Sequence, residues 1–216
     1  MLLATLLFSQ TESPTLGMTD EQVFRLGGVE FVNRYSEKFG SSTAAMCDGW
    51  ETYAKAARRL NDAALRKKPA ALQSAVKALR NHLGTFRNEM CDIGRAFSGG
   101  GTIWNIAYSE TAADVEDTVS LLSQLRMAKL KPLKVSAGTQ AMSRVEAVAK
   151  ENAKDIDSYK ASGGGMDEVR SSLKAAREEY AKIVKIAAKL NRAQSDAVLA
   201  FCVEAAQVPL NQFEGG

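Results

Sequence analysis

Residues 166–205 read MDEVRSSLKAAREEYAKIVKIAAKLNRAQSDAVLAFCVEA, and this stretch decides the fold class. Within it Val169, Leu173, Ala176, Tyr180, Ile183, Ala187, Leu190, Gln194, Ala197 and Phe201 alternate spacings of four and three. That is the seam of an amphipathic helix with one polar interruption, Gln194. Acidic Asp167 and Glu168 suit the positive end of a helix dipole just after Gly163-Gly164-Gly165, while Pro209 and Gly215-Gly216 close the segment. The expectation is one helix on the order of 60 Å long, at about 1.5 Å per residue.

Working outward, Leu72, Val76, Leu79, Leu83, Phe86, Met90, Ile93 and Phe97 repeat the pattern. Pro69 fits the first turn of that helix and Ser98-Gly99-Gly100-Gly101 stops it. Met46, Trp50, Tyr53, Ala57, Leu60 and Ala64 give the same spacing over 42–67, and Lys67-Lys68-Pro69 is either a sharp turn or a kink between the two. A weaker helix over 19–39, carrying Val23, Phe24, Phe31 and Tyr35, is interrupted at Gly27-Gly28. Residues 102–109 read as an ordered connection, 111–131 as a helix with Val115, Val119, Leu122 and Leu125 inward, and Pro132 as its kink or end. Met142, Val145, Ala149, Asn152, Ile156 and Tyr159 carry a further helix to the triple glycine.

These seams define an all-α chain: an elongated bundle of long, kinked, antiparallel helices crossing at shallow angles, with self-association to cover leftover apolar surface. With 216 residues the organisation reads as an apolar N-terminal arm, 1–18, and a single helical domain, 19–214. The first basic residue is Arg25, so the charged start of a secretory signal is missing; the arm is expected to pack on the body. No run approaches the length of a membrane span. Three widely separated cysteines, Cys47, Cys91 and Cys202, read as buried thiols, which places the protein in the cytoplasm.

Catalytic chemistry finds little support. The single histidine, His82, has no partner at metal-ligand spacing, the cysteines sit in no nucleophile motif, and the glycine runs lack the Lys-Ser/Thr of a phosphate loop. The sequence therefore reads as non-enzymatic, with no metal or cofactor. Charge distribution is more informative than the net +3: residues 55–80 hold eight basic residues, Lys55, Arg58, Arg59, Arg66, Lys67, Lys68, Lys77 and Arg80, against one acid, Asp62. A second cluster comprises Arg126, Lys129, Lys131 and Lys134. Such a field meets phospholipid head groups or an acidic protein, or it is a hydrated face that keeps the chain soluble. The lack of interleaved exposed aromatics argues against nucleic acid.

The runs Ala176-Arg177-Glu178-Glu179-Tyr180 and Leu190-Asn191-Arg192-Ala193-Gln194-Ser195-Asp196-Ala197-Val198-Leu199-Ala200-Phe201 resemble the last helix of BAR domains, particularly the Arf GTPase-activating and arfaptin-like groups. Leu130-Lys131-Pro132-Leu133-Lys134 and Asp155-Ile156-Asp157-Ser158-Tyr159-Lys160 are similar to the middle helix of that family. The resemblance spans roughly residues 120–205. It implies a crescent-shaped antiparallel homodimer whose twelve clustered cations per chain bind curved, anionic phospholipid membranes as a peripheral scaffold. The alternative reading is a helical-bundle adaptor or assembly protein that binds helical protein partners and has no lipid role.

Overall fold

The computed structural model describes residues 15–162 and 164–211, and among them there is no strand. The helices are α1 (Asp20–Leu26), α2 (Gly28–Phe39), α3 (Thr43–Leu65), α4 (Ala70–Ser98), α5 (Ile103–Leu122), α6 (Ser136–Glu151), α7 (Ala153–Ser158), α8 (Met166–Ala187) and α9 (Arg192–Ala205), with one 3-10 turn at Lys160–Ser162. The protein is an all-α helical bundle.

Local chemistry sets several of the helix ends. Thr19 and Gln22 form a capping box at the start of α1, each side chain satisfying the other's backbone N–H. Gly27, at φ +86, ends α1 and leads directly into α2, as the glycine pair predicts. Gly28 is needed for a different reason: a Cβ there would lie 3.2 Å from Trp50 Cη2 and closer still to Cζ3. Gly99, in the left-handed region at φ +70, stops α4 after Ser98.

The corner at Lys67-Lys68-Pro69 is a turn. The Lys67 and Lys68 N–H groups donate to the Ala64 and Leu65 carbonyls, and Pro69 starts α4 in the reverse direction. Arg80 consequently reaches back to Asp62 at 2.7 Å, so α3 and α4 run antiparallel. They do not close on one another. Both pack on α5, which lies beneath them, and α4 makes its most extensive contact with α8.

Two apolar clusters result. The larger runs through α4 to α9, with Leu79, Leu83, Phe86, Met90 and Ile93 of α4 meeting Val169, Leu173, Ala176, Tyr180 and Ile183 of α8. The smaller holds α1 and α2 against α3 through Val23, Phe31, Val32, Tyr35 and Tyr53, with Ala113 of α5 beneath. Each large side chain buried in this way contributes about 1.5–3 kcal/mol before the entropy of ordering is counted. Leu16 and Met18 pack on the smaller cluster, whereas 1–14 of the expected arm lie outside the described residues.

Several expectations are corrected. The C-terminal seam is two helices: α8 ends at Ala187, Lys189 and Leu190 turn back through N–H bonds to Ile186 and Ala187, and α9 starts afresh. Gln194 is therefore not a defect in a seam. It is the third residue of α9, closing a capping box with Asn191, and its amide donates to the Leu122 carbonyl at 2.9 Å. The longest helix is instead α4, with 29 residues, or about 44 Å. Residues 103–109 belong to α5, which stops at Leu122 rather than Lys131 because Ser123 and the left-handed Gln124, at φ +64, turn the chain. Leu125, expected inward, is consequently 42% exposed, and Tyr159 is also exposed. The helix expected to run from Met142 to the triple glycine is broken at Asn152 into α6 and α7, and α7 ends at Ser158. Cys91 and Cys202 are buried, as expected, but Cys47 is only half-buried.

Candidate functional site

The fold sorts the twelve sequence-predicted cations into three groups. Arg59 and Arg126 serve the fold. Arg59 grips Asp20 of α1 through two bonds of 2.5 and 2.6 Å, and its hydrogen bond holds the Asp20 carboxyl below the usual range. Arg126 returns from the end of α5 to pair with Asp117 at 2.9 Å, donates to the Phe24 carbonyl at 2.5 Å and the Tyr53 hydroxyl at 3.0 Å, and stacks over the Phe24 ring at 4.0 Å. Burial raises the Asp117 carboxyl, against the pull of Tyr53 and Arg126. These arginines lock the α1–α2 unit to α3 and α5.

Lys55, Arg58, Lys77 and Arg80 line a cleft of 460 Å³ between α3 and α4, floored by Tyr108, Thr111, Ala112 and Val115 of α5. Lys55 pairs with Glu51 at 3.1 Å. Arg80 is bound between Asp62 and Glu116, and Asn61 donates to the same Glu116 carboxylate at 2.9 Å.

Arg66, Lys67, Lys68, Lys129, Lys131 and Lys134 converge on one end of the bundle. The α3–α4 turn reaches the residues after α5 through Lys68, whose Nζ donates to Gln124 at 3.0 Å. The α8–α9 turn brings Lys189 to the same place, beside Lys68, Leu72 and Gln124. The segment after α5 is pinned to α9 by the Leu133 N–H donating to Asp196 and by Arg192 donating to the Leu133 carbonyl. Two carboxylates on the flanking helices are paired elsewhere, Asp62 with Arg80 and Asp196 with Arg192 at 3.0 Å.

At the pole the chain also exposes apolar side chains: Met127 is 89% exposed, and Leu125 and Val135 are about half exposed. Lys67 and Lys189 additionally answer the negative ends of α3 and α8, a purely structural use of charge. Lys129 and Lys131 lie away from any helix terminus, Lys134 directly precedes the Val135 N-cap of α6, and none of the three has an ion-pair partner among the described residues. The sequence reading missed Lys189 and Met127. Lys189 carries no local signal, since only the turn before α9 places it here. Met127 falls within the helix expected over 111–131, which ends five residues before it.

Other ionisable groups are engaged in ion pairs or buried. His82 Nδ1 lies 2.7 Å from Glu179 Oε2, across the α4–α8 contact. Arg87 is buried against Asp114 and Glu110 at 2.5 and 3.0 Å, and burial raises both carboxyls against its pull. Burial also pushes the Cys91 thiol up to about 11. Among the described residues no group of three His, Cys, Asp or Glu side chains is placed to hold a metal ion, and no helix is long and apolar enough to cross a membrane. No family model, curated protein or solved structure matches the chain.

Proposed function

We propose that this protein is a non-enzymatic scaffold that docks on anionic membrane surfaces through the basic pole. The observation that carries the reading is the exposed Met127 on the segment that follows α5 and carries Lys129, Lys131 and Lys134, which have no carboxylate partner among the described residues. A cation held near an anionic leaflet contributes about 1 kcal/mol, and an apolar side chain reaching the acyl boundary adds to it. One pole holds its protein weakly. Self-association, which the BAR resemblance implies, would present two poles at once and turn weak contacts into stable residence. The cytoplasmic, peripheral location belongs to the same proposal.

Sedimentation with phosphatidylcholine vesicles containing phosphatidylserine tests it. Salt-sensitive co-sedimentation of the native chain is expected, and the variant K67E/K68E/K129E/K131E should partition about a thousandfold more weakly, given about 1 kcal/mol for each of four cations. Unchanged sedimentation of that variant would overturn the proposal and favour the adaptor reading, in which the bundle binds helical protein partners.

A further inference from the structure

The cleft between α3 and α4 has a chemistry distinct from the pole. Its walls separate satisfied from unsatisfied groups. Lys55 and Arg80 are held in ion pairs, but Arg58 and Lys77 line the same cavity with no carboxylate or hydrogen-bond partner among the described residues. Along α4 the spacing of Lys77, Asn81, Gly84 and Asn88 sets all four on one stripe. All four line the cleft, and the two asparagine amides have no hydrogen-bond partner among the described residues. Gly84 keeps the middle of that wall open, since a Cβ there would meet nothing within 4 Å.

On the same wall Arg80 is taken up by Asp62 and Glu116, its Nε lying 2.9 Å from Glu116 Oε1, which leaves Arg58 and Lys77 as the cations open to a ligand. Cations kept only for solubility need neither a cavity nor neighbouring amides. A guanidinium and an ammonium with free donors suit a phosphate group, whereas amides, which donate and accept, suit hydroxyls. The cavity has the size of small-molecule sites. Stacking surface is scarce, because the one cleft aromatic, Tyr108, is tied through its hydroxyl to Asp92 at 2.6 Å.

From these groups we infer that the α3–α4 cleft binds a phosphate monoester of a polyol, with Arg58 and Lys77 on the phosphate and Asn81 and Asn88 on the hydroxylated body. The ligand's source is either a soluble phosphate ester or a phosphoinositide head group.

Calorimetric titration of the full chain with myo-inositol monophosphate and with glycerol phosphate tests the assignment. Saturable binding of at least one ester is expected. The variant R58A/K77A, altered at two exposed positions, should keep its unfolding curve and lose at least about tenfold in affinity, since each charge-assisted bond contributes about 1.5 kcal/mol or more. The pole variant K67E/K68E/K129E/K131E should retain the affinity, which separates this site from the membrane reading. In that background, competition by phosphoinositide vesicles identifies the head group as the source, and its absence identifies the soluble ester. Failure of both esters to bind, or undiminished binding by R58A/K77A, overturns the inference.

Discussion

Replacing Arg126 with alanine separates the cations that build the fold from those that face outward. Its guanidinium pairs with Asp117, donates to the Phe24 carbonyl and to the Tyr53 hydroxyl, and stacks on the Phe24 ring. The Asp117 pair is partly solvated, with both side chains about one-third exposed, so about 0.5 kcal/mol is appropriate for it. A charged hydrogen bond to a main-chain carbonyl contributes about 1.5 kcal/mol, and the ring stacking about 0.5–1 kcal/mol. The sum, about 2–3 kcal/mol, corresponds to a fall of roughly 5–10 °C in Tm for a chain of this size. Urea denaturation followed by circular dichroism, with K129A as the matched surface control, measures it. K129A should change stability by less than about 0.5 kcal/mol. A double-mutant cycle with D117N should show coupling, because the two groups share one network. An R126A protein as stable as K129A would refute the assignment of Arg126 to the fold.

Three further outcomes follow from the same physical reasoning. Gly94→Ala would set a Cβ 2.7 Å from Trp104 Cζ3 and nearer still to Cη2, with the indole fixed by its bond to Ser98 Oγ; it should cost about 1–3 kcal/mol by overpacking, and W104L should recover part of that in thermal melts. Asn191→Ala removes the α9 cap and should lower stability by about 1 kcal/mol in urea titrations, with glycine at the same site less damaging. Hydrogen bonds from Lys150 and Arg177 hold Glu146 down at about 2 from its ordinary 4.5, so its contribution is present above the ordinary value and is lost as pH falls from there toward 2. Acid unfolding of E146Q should lose that increment of pH dependence, and a profile identical to the native one would exclude it.

Much of the fold was legible because periodicity reports burial directly. The 72–97 seam is one helix whose apolar positions are buried or packed against the core. The glycine and proline punctuation at Gly27, Pro69 and Gly99 also fell where the chain turns. The C-terminal seam misled for a physical reason: α8 and α9 both bury their apolar faces in the same core, so the spacing runs on through the turn between them. The corrective signal was the Asn191-x-x-Gln194 pattern, whose side chains satisfy the first N–H groups of a new helix. The candidate site was legible only in pieces. Sequence clustering found Arg66 to Lys68 and Lys129 to Lys134, but only tertiary packing joins them and adds Lys189. Charge density alone could not distinguish Arg59, Arg80 and Arg126, whose acidic partners lie at Asp20, Asp62, Glu116 and Asp117 on other elements or further along the chain.

The position of Met127 at the membrane tests the central claim most directly. In the variant M127W the new indole stands exposed on the segment that carries Lys129, Lys131 and Lys134, while the native Trp50 and Trp104 are buried. On mixing with phosphatidylserine vesicles its emission should shift to shorter wavelength and be quenched by brominated acyl chains, and high salt should reverse both effects. An emission spectrum unmoved by vesicles under conditions where lipid is in excess would contradict docking through this pole.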